Sequence, residues 1–232
     1  MLHKYRHFLL LVILYLVTAS TSLGVSHAVS AADETTPTRG LTLSPIRNEL
    51  EIAPGRSLDR TLKLVNYSDK TMTIHLSAEK FSVTNPEYDY AFTAESDTAK
   101  WVSFVLSEVK LEPGKSMKVP YKIGVPLKAE PGGRYISLFA TTDTTGSDGG
   151  VKSRQRVASL IYLNVTGNVT RVGSLVSLNS PWAVGGNNTQ WSMSLRNGGT
   201  THYRSKYSVS VRNLIGNGEV ASSAGDSLIL PG

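Results

Sequence analysis

From Leu41 to about Asn168 the chain alternates apolar and polar residues with a period of two. In "TMTIHLSAE" the residues Met72, Ile74, Leu76 and Ala78 share one face, and Thr73, His75, Ser77 and Glu79 the other, which is the pattern of a half-buried strand. "SMKVPYKIGV" repeats it with Met117, Val119, Tyr121, Ile123 and Val125 on the apolar side. Pro120 lacks a ladder donor, so this strand is expected at an edge or with a bulge. "RYISLFATT" and "RQRVASLIYLNV" are apolar on both faces and predict strands inside a sheet covered on both sides.

Turn signals such as "APG", "NYSDK", "TNPE", "EPG", "EPGG" and "GSDGG" recur at strand-like spacing, and the 3.6-residue period of a capped helix is missing after the N-terminus. A second unit starts near Val169. "TQWSMSLRNGG" places Trp191, Met193 and Leu195 on one side, and "KYSVSVRNLIGNGEV" places Tyr207, Val209 and Val211, with the hairpin pair Asn217-Gly218 after it. Both "TLKLVNYSDKTMTIHLSAE" and "SMSLRNGGTTHYRSKYSVSVRN" read as strand, Asn-led turn, strand. The expected fold is all-β, two tandem immunoglobulin-like antiparallel β-sandwiches at 41–168 and 169–232.

A phrase recurs through both units. "LEIAPGRSLDRTLKLVN" and "VKLEPGKSMKVPYKIGV" each run from apolar alternation through Pro-Gly, a basic residue and Ser into another strand, and the chain finishes on "SLILPG". If the third Pro-Gly works as the first two do, at least one alternating strand is expected after Gly232. On that reading the second sandwich is truncated here, and the native protein completes it and anchors in the membrane through a C-terminal apolar helix.

The N-terminus sets the compartment. "MLHKYRH" is basic, and Phe8–Ala19 forms an apolar stretch of 12 residues, too short to span a bilayer. Small residues follow, so 1–32 is read as a secretory signal peptide and 33–40 as a linker. Removing 1–32 takes away Lys4 and Arg6 and no acid, lowering the net charge from +6 to +4. That mild surplus has no aromatic-interleaved basic cluster, so nucleic acid is not an expected partner. The chain has no cysteine, which excludes thiol catalysis, thiolate metal sites and lipidation at a cysteine.

Candidate chemistry is sparse. After the signal only His75 and His202 remain, the first on the polar face of its strand and the second in the turn-like "GTTHYR"; both read as companionless surface residues. Nucleophile-elbow, phosphate-loop and HExxH patterns are missing. Asp143 and Asp148 beside "TTGSDGG", and the pairs Gly132-Gly133, Gly149-Gly150 and Gly185-Gly186, read as turn residues, with no metal and no cofactor expected. The sequon at Asn164 falls in an expected buried strand, and those at Asn66, Asn168 and Asn187 would matter only in a eukaryotic secretory route.

The most unusual stretch is "TNPEYDYAFTAESDTAKW". Tyr88, Tyr90 and Phe92 fall on one face of an extended segment, with Trp101 beyond an acidic loop. These four are the candidate ligand-binding residues. Either they belong to the core of a strand crossing between sheets, or they form a platform for sugar rings with Asp89, Glu95 or Asp97 as acceptors.

The order "LEIAPGRSLDRTLKLVNYSDKTMTIHLSAEKFSVTNPEYDY", "VKLEPGKSMKVPYKIGVP", "EPGGRYISLFA" resembles the N-terminal peptidoglycan-binding domain of the WxL-interacting proteins, over roughly Leu41 to Val165. The "TN…DY" segment and the Gly132-Gly133-x-Tyr135 turn carry the resemblance most specifically. It implies a membrane-anchored protein of the bacterial cell surface that engages cell-wall polymer or a surface protein partner, and the missing catalytic constellation makes a non-enzymatic role the expectation. The family's opening phrase is altered here to "LSPIRNELEIAPG", with Pro45 and Asn48 but no following glutamine. The alternative is a periplasmic pilus-type chaperone acting by strand donation, which also carries two such domains after a signal peptide. The cleft of those chaperones uses a lysine on the last strand of the first domain, and Val157–Val165 has none, leaving only Arg47.

Overall fold

The computed structural model describes residues 40–85, 89–143, 154–181, 190–215 and 218–232. The expected signal peptide and linker up to residue 39, Tyr88, Asp148, Gly149-Gly150, Gly185-Gly186, the Asn187 sequon and Asn217 lie outside the described residues. Among the described residues the chain is all-β, with one 3-10 turn at Ala99–Trp101 and no α-helix.

Ten strands build the first sandwich: β1 (Leu41–Ser44), β2 (Arg47–Ile52), β3 (Ser57–Asn66), β4 (Met72–Val83), β5 (Tyr90–Thr93), β6 (Val102–Phe104), β7 (Glu108–Leu111), β8 (Ser116–Gly124), β9 (Gly132–Thr142) and β10 (Arg156–Val165). One sheet has the order β1-β3-β8-β6, the other β2-β10-β9-β4-β5 with β7 also on β4. Their facing sides form one core. Leu62 and Leu64 of β3 and Val119, Tyr121 and Ile123 of β8 meet Ile74 and Leu76 of β4, Ile136 and Leu138 of β9, and Ile161, Leu163 and Val165 of β10. Fully burying each aliphatic side chain is worth about 1.5–3 kcal/mol.

The N-terminal strand serves both sheets. β1 pairs antiparallel with β3, the chain bends at Pro45-Ile46, and β2 then runs parallel to β10. The bend is held from the opposite sheet, where the Ser159 hydroxyl donates to the Pro45 carbonyl at 2.7 Å.

Both internal Pro-Gly phrases make the turn their sequence demands. Gly55 and Gly114 have φ of 74° and 67°, and the i→i+3 bonds run from Arg56 N–H to Ala53 (3.1 Å) and from Lys115 N–H to Glu112 (3.2 Å). Proline fixes the first central residue and glycine alone accepts the positive φ of the second at no steric cost. Pro120 sits where the β8 edge changes character. β6 pairs with β8 only from Tyr121 to Ile123, so the half of β8 before Tyr121 is an edge, where a missing donor costs nothing.

The second unit has four described strands: β11 (Gly173–Asn179), β12 (Ser192–Asn197), β13 (Tyr203–Arg212) and β14 (Glu219–Ile229). β11 pairs antiparallel with β12, and β13 with β14, as two separate two-stranded sheets. β11 is exposed along its whole length, while β13 alternates half-buried and exposed residues.

These four strands repeat β1, β3, β4 and β7 at the level of single bonds. At the end of β3, Asn66 accepts from Ser68 N–H (2.9 Å) and donates to the Lys70 (2.8 Å) and Leu111 (3.0 Å) carbonyls. At the end of β12, Asn197 accepts from Gly199 N–H (2.9 Å) and donates to Thr201 (2.9 Å) and Ile229 (3.0 Å). Asn66 stands opposite Leu41 of β1, and Asn197 opposite Gly173 of β11. The Asn66 carbonyl accepts from Gly114 N–H at 2.9 Å and that of Asn197 from Gly232 N–H at 3.2 Å. The strand–Asn turn–strand resemblance in the sequence is thus one corner built twice, each time carrying the chain from one sheet to the other.

Candidate functional site

The outer face of the six-stranded sheet, which in a sandwich is ordinarily polar, carries a band of aromatic rings. Strand alternation puts Tyr135 and Phe139 of β9, Tyr162 of β10 and Phe81 of β4 opposite the core-facing set, and the pairing Phe81↔Phe92 brings β5 onto the same face. Phe81 is fully buried and meets Tyr90, Tyr162 and Tyr135 at centroid distances of 5.5, 5.4 and 5.6 Å. Gly133 lacks the side chain that would collide with the Tyr135 hydroxyl, so this tyrosine folds back over its own strand.

One half of the band is covered by the second unit. Leu228 and Leu230 pack on it, and the His202 ring lies 5.8 Å from Tyr135 and 6.0 Å from Tyr162. Polar contacts frame this junction. Gly133 N–H donates to the Thr200 carbonyl at 2.8 Å, Thr201 Oγ1 donates to Asn164 Oδ1 at 3.0 Å, and Asn164 Nδ2 donates to Glu51 at 3.2 Å. Arg204 binds both Glu49 and Asp226.

The other half is open. Tyr90 and Phe92 stack at 6.3 Å and 27°, with Phe92 39% exposed. Phe92 meets Phe139 edge-on at 5.0 Å, and the Arg156 guanidinium, bound to Glu79, lies 3.4 Å from the Phe139 ring centre. The structure therefore separates the candidates. Tyr90 and Phe92 belong to the outer face, whereas Trp101 packs against the main core from the 3-10 turn, with Arg134 6.0 Å over its ring. Two of the three candidate acceptors are engaged locally: Asp89 accepts from Asn85 Nδ2 at 2.7 Å, and Asp97 from Lys100 at 3.0 Å. Nearby, a cleft of about 340 Å³ is bounded by Lys80, Ser82, Thr98, Arg134 and Leu230.

Neither histidine is companionless, and only His75 is a surface residue. His75 has its Nε2 2.7 Å from Asp143 and its Nδ1 3.6 Å from Glu108, in an exposed cluster of the kind that contributes little to stability. His202 is half-buried in the junction, and burial lowers its pKa, a trend that Glu49 opposes and Arg171 reinforces. Burial likewise pushes the Tyr135 hydroxyl up, so it stays protonated. Among the described residues no group of three His, Cys, Asp or Glu is placed to hold a metal ion.

A second concavity, about 680 Å³, lies between the two sheets of the second unit. Trp191, Met193, Leu195 and Tyr207 line it, and Arg47 and Tyr162 stand at its junction end. The Arg47 guanidinium is 5.1 Å from the Tyr162 ring centre. The outer-face role of Phe81, Tyr135 and Tyr162 is not legible in their own sequence neighbourhoods. The signal was the apolar residues on both faces of β9 and β10, which announced a covered outer face without saying what covers it.

No family model matches the chain, and no curated protein matches it. Among solved structures, the chain is similar to the class 5 fimbriae chaperone CfaA, at 14% identity and a TM-score of 0.48 over 83% of this chain and 82% of that one. The CsuC–CsuE chaperone–tip subunit pre-assembly complex of Acinetobacter baumannii matches at 11% identity, with a TM-score of 0.45 over 82% and 83%. The periplasmic chaperone SfaE matches at 11%, with a TM-score of 0.41 over 83% and 84%. The likeness is one of fold class, and nothing of what these proteins bind carries over from it.

Proposed function

We propose that the chain is an exported, non-enzymatic binding protein of the bacterial cell surface, and that the open half of the aromatic band engages cell-wall polymer. The observation that carries this reading is the stacked pair Tyr90–Phe92, presented on the outer face of an edge strand with Phe92 39% exposed. Solvent-exposed aromatic rings offer a flat apolar surface to the C–H faces of sugars, and the resemblance to the WxL-interacting proteins points to the same ligand class. Retention on purified peptidoglycan is the test. Phe92→Ala is expected to reduce retention about tenfold with little change in melting temperature. Retention no greater than that of an unrelated basic β-sandwich would overturn the reading.

A second reading, a pilus-type chaperone, is favoured by one observation: Arg47 stands over Tyr162 at the junction end of the 680 Å³ groove, a cation where a partner segment would enter. Its mark is co-purification of a β-rich subunit that Arg47→Ala abolishes.

A further inference from the structure

The six-stranded sheet of the first sandwich splits at one end. The β4–β9 ladder stops at Lys80↔Ile136; beyond it β4 continues to Val83 on its β5 side, and β9 reaches back to Gly132 on its β10 side. The residues that would extend the ladder, 81–83 and 133–135, instead line the two sides of the 340 Å³ cleft, a volume at the lower end of the roughly 300–1,000 Å³ of small-molecule sites. Leu230 and Pro231 also border it, and the chain goes on from there to the Asn197 corner, where Gly232 N–H donates at 3.2 Å. We propose that this split in the sheet holds the carboxylate of an acidic sugar, in a glycan whose neighbouring unit lies on Tyr90 and Phe92. The inference rests on the reading of that ring pair as a glycan surface.

Three observations carry the proposal. Two cations border the cleft, Lys80 and Arg134, and among the described residues neither is paired with a carboxylate. The acids beside the cleft residues in sequence are engaged elsewhere, Glu79 by Arg156 and Asp97 by Lys100. Second, Arg134 is held in place. Its Nη1 donates to the Gly133 carbonyl and its Nη2 to that of Glu130, both at 3.0 Å, and its guanidinium lies 6.0 Å over the Trp101 ring. An N–H on each terminal nitrogen and the Nε–H are left over, which is the geometry that a carboxylate meets with two parallel bonds. Ser82 and Thr98 add hydroxyls at the same cleft, and Thr98 makes no cap bond to its 3-10 turn. Third, the cleft adjoins the ring pair: Val83 borders the cleft and stands opposite Tyr90, which stacks on Phe92. Cations next to exposed rings suit a ligand with both an anionic group and an apolar face, and a neutral glycan supplies only the second.

The test uses the purified chain and calorimetric titration with three probes: a tetrasaccharide alternating glucuronate and N-acetylglucosamine, the neutral tetramer of N-acetylglucosamine, and a glycerol phosphate oligomer of the same charge as the first. The acidic tetrasaccharide is expected to bind about tenfold tighter than the neutral one, with slowed amide exchange at 81–83 and 133–135. Arg134→Gln should bring the two tetrasaccharides within about twofold of each other. Because Arg134 also holds two backbone carbonyls, its melting temperature is recorded, and Lys80→Gln, an exposed change, keeps the test decisive by weakening the acidic probe alone about threefold. Phe92→Ala should weaken both tetrasaccharides alike. No binding of the acidic tetrasaccharide, equal binding of the acidic and neutral ones, a preference untouched by either cation substitution, or tighter binding of the glycerol phosphate oligomer would each overturn the inference. The two readings fail separately: acidic binding without peptidoglycan retention sinks the wall reading alone, and equal binding of both tetrasaccharides that Phe92→Ala weakens sinks the cleft alone.

Discussion

Asn66 and Asn197 make the same bonds at the same corner, yet one ends a strand in a closed core and the other a strand at an open groove. In the first sandwich β8 and β9 cover the far edges of β3 and β4, and Leu62, Leu64 and Ile74 are fully buried. In the second unit those edges are uncovered among the described residues, Met193 and Leu195 are only half-buried, and Leu175 and Leu178 are 56% and 60% exposed. The corner is thus a local device that needs only the asparagine and its next few residues. Burial is not local: in the first sandwich it requires β8 and β9 from farther along the chain.

The largest expected contrast lies two residues before each corner. Leu64 stands opposite Leu43, and Leu195 opposite Leu175. Leu64→Ala should cost about 2–5 kcal/mol, as for a leucine removed from a packed core. Leu195→Ala should cost less than about 1 kcal/mol, because the side chain already contacts solvent. Urea unfolding monitored by far-UV circular dichroism measures both, and equal costs would break the comparison by showing that the second unit is as tightly packed as the first.

The corner itself gives the next contrast. Asn66→Ala strands the Lys70 and Leu111 carbonyls and the Ser68 N–H, and leaving buried polar groups unpaired costs about 1–3 kcal/mol. For a chain of this size each kcal/mol is worth about 2–4 °C in melting temperature. Asn197→Ala breaks the matching bonds at an equally buried asparagine, with Thr201 fully buried beside it, but in a unit that has fewer packed strands among the described residues, so the main transition should hold while amide exchange quickens around Thr201 and Ile229. A fall in the main melting transition as large as that of Asn66→Ala would mean that the two units unfold as one.

Much of this contrast is legible in the sequence. The Pro-Gly phrases imposed their turns because only glycine accepts φ near 70°, and alternation marks the buried residues along β4 and along β8 from Val119 on, while Met117 at the uncovered end of β8 is 36% exposed. The parallel between the two Asn-led turns was visible as well. What could not be read was which side of a doubly apolar strand is wet. Tyr135 and Tyr162 alternate with core residues, and their cover, His202 and Leu228, comes from the other unit. His202 is hidden for the same reason: "GTTHYR" is polar locally, and its burial depends on rings supplied by β9 and β10. Trp101 is near Tyr90 and Phe92 in sequence, but the 3-10 turn sends it to the other side of the sheet, against the main core.

The smallest expected effect concerns the contact between the two units. His202 sits between Tyr135 and Tyr162, and its pKa is lowered, first by burial, with Arg171 and Arg204 adding to the effect and Glu49 and Glu51 opposing it. A lowered folded-state pKa means that protonation favours the open state. The stabilisation is therefore complete above the unfolded value of about 6.5 and is lost as pH falls from there through the folded pKa. Acidification should loosen the junction while the first sandwich persists, so exchange at β13 and β14 accelerates and that at β3 and β8 does not. His202→Phe keeps a ring between the two tyrosines and cannot titrate, so it should flatten the dependence, whereas His75→Ala, in its exposed cluster, should leave it in place. A junction whose exchange ignores pH in the unaltered chain would show that the buried imidazole does not hold the units together.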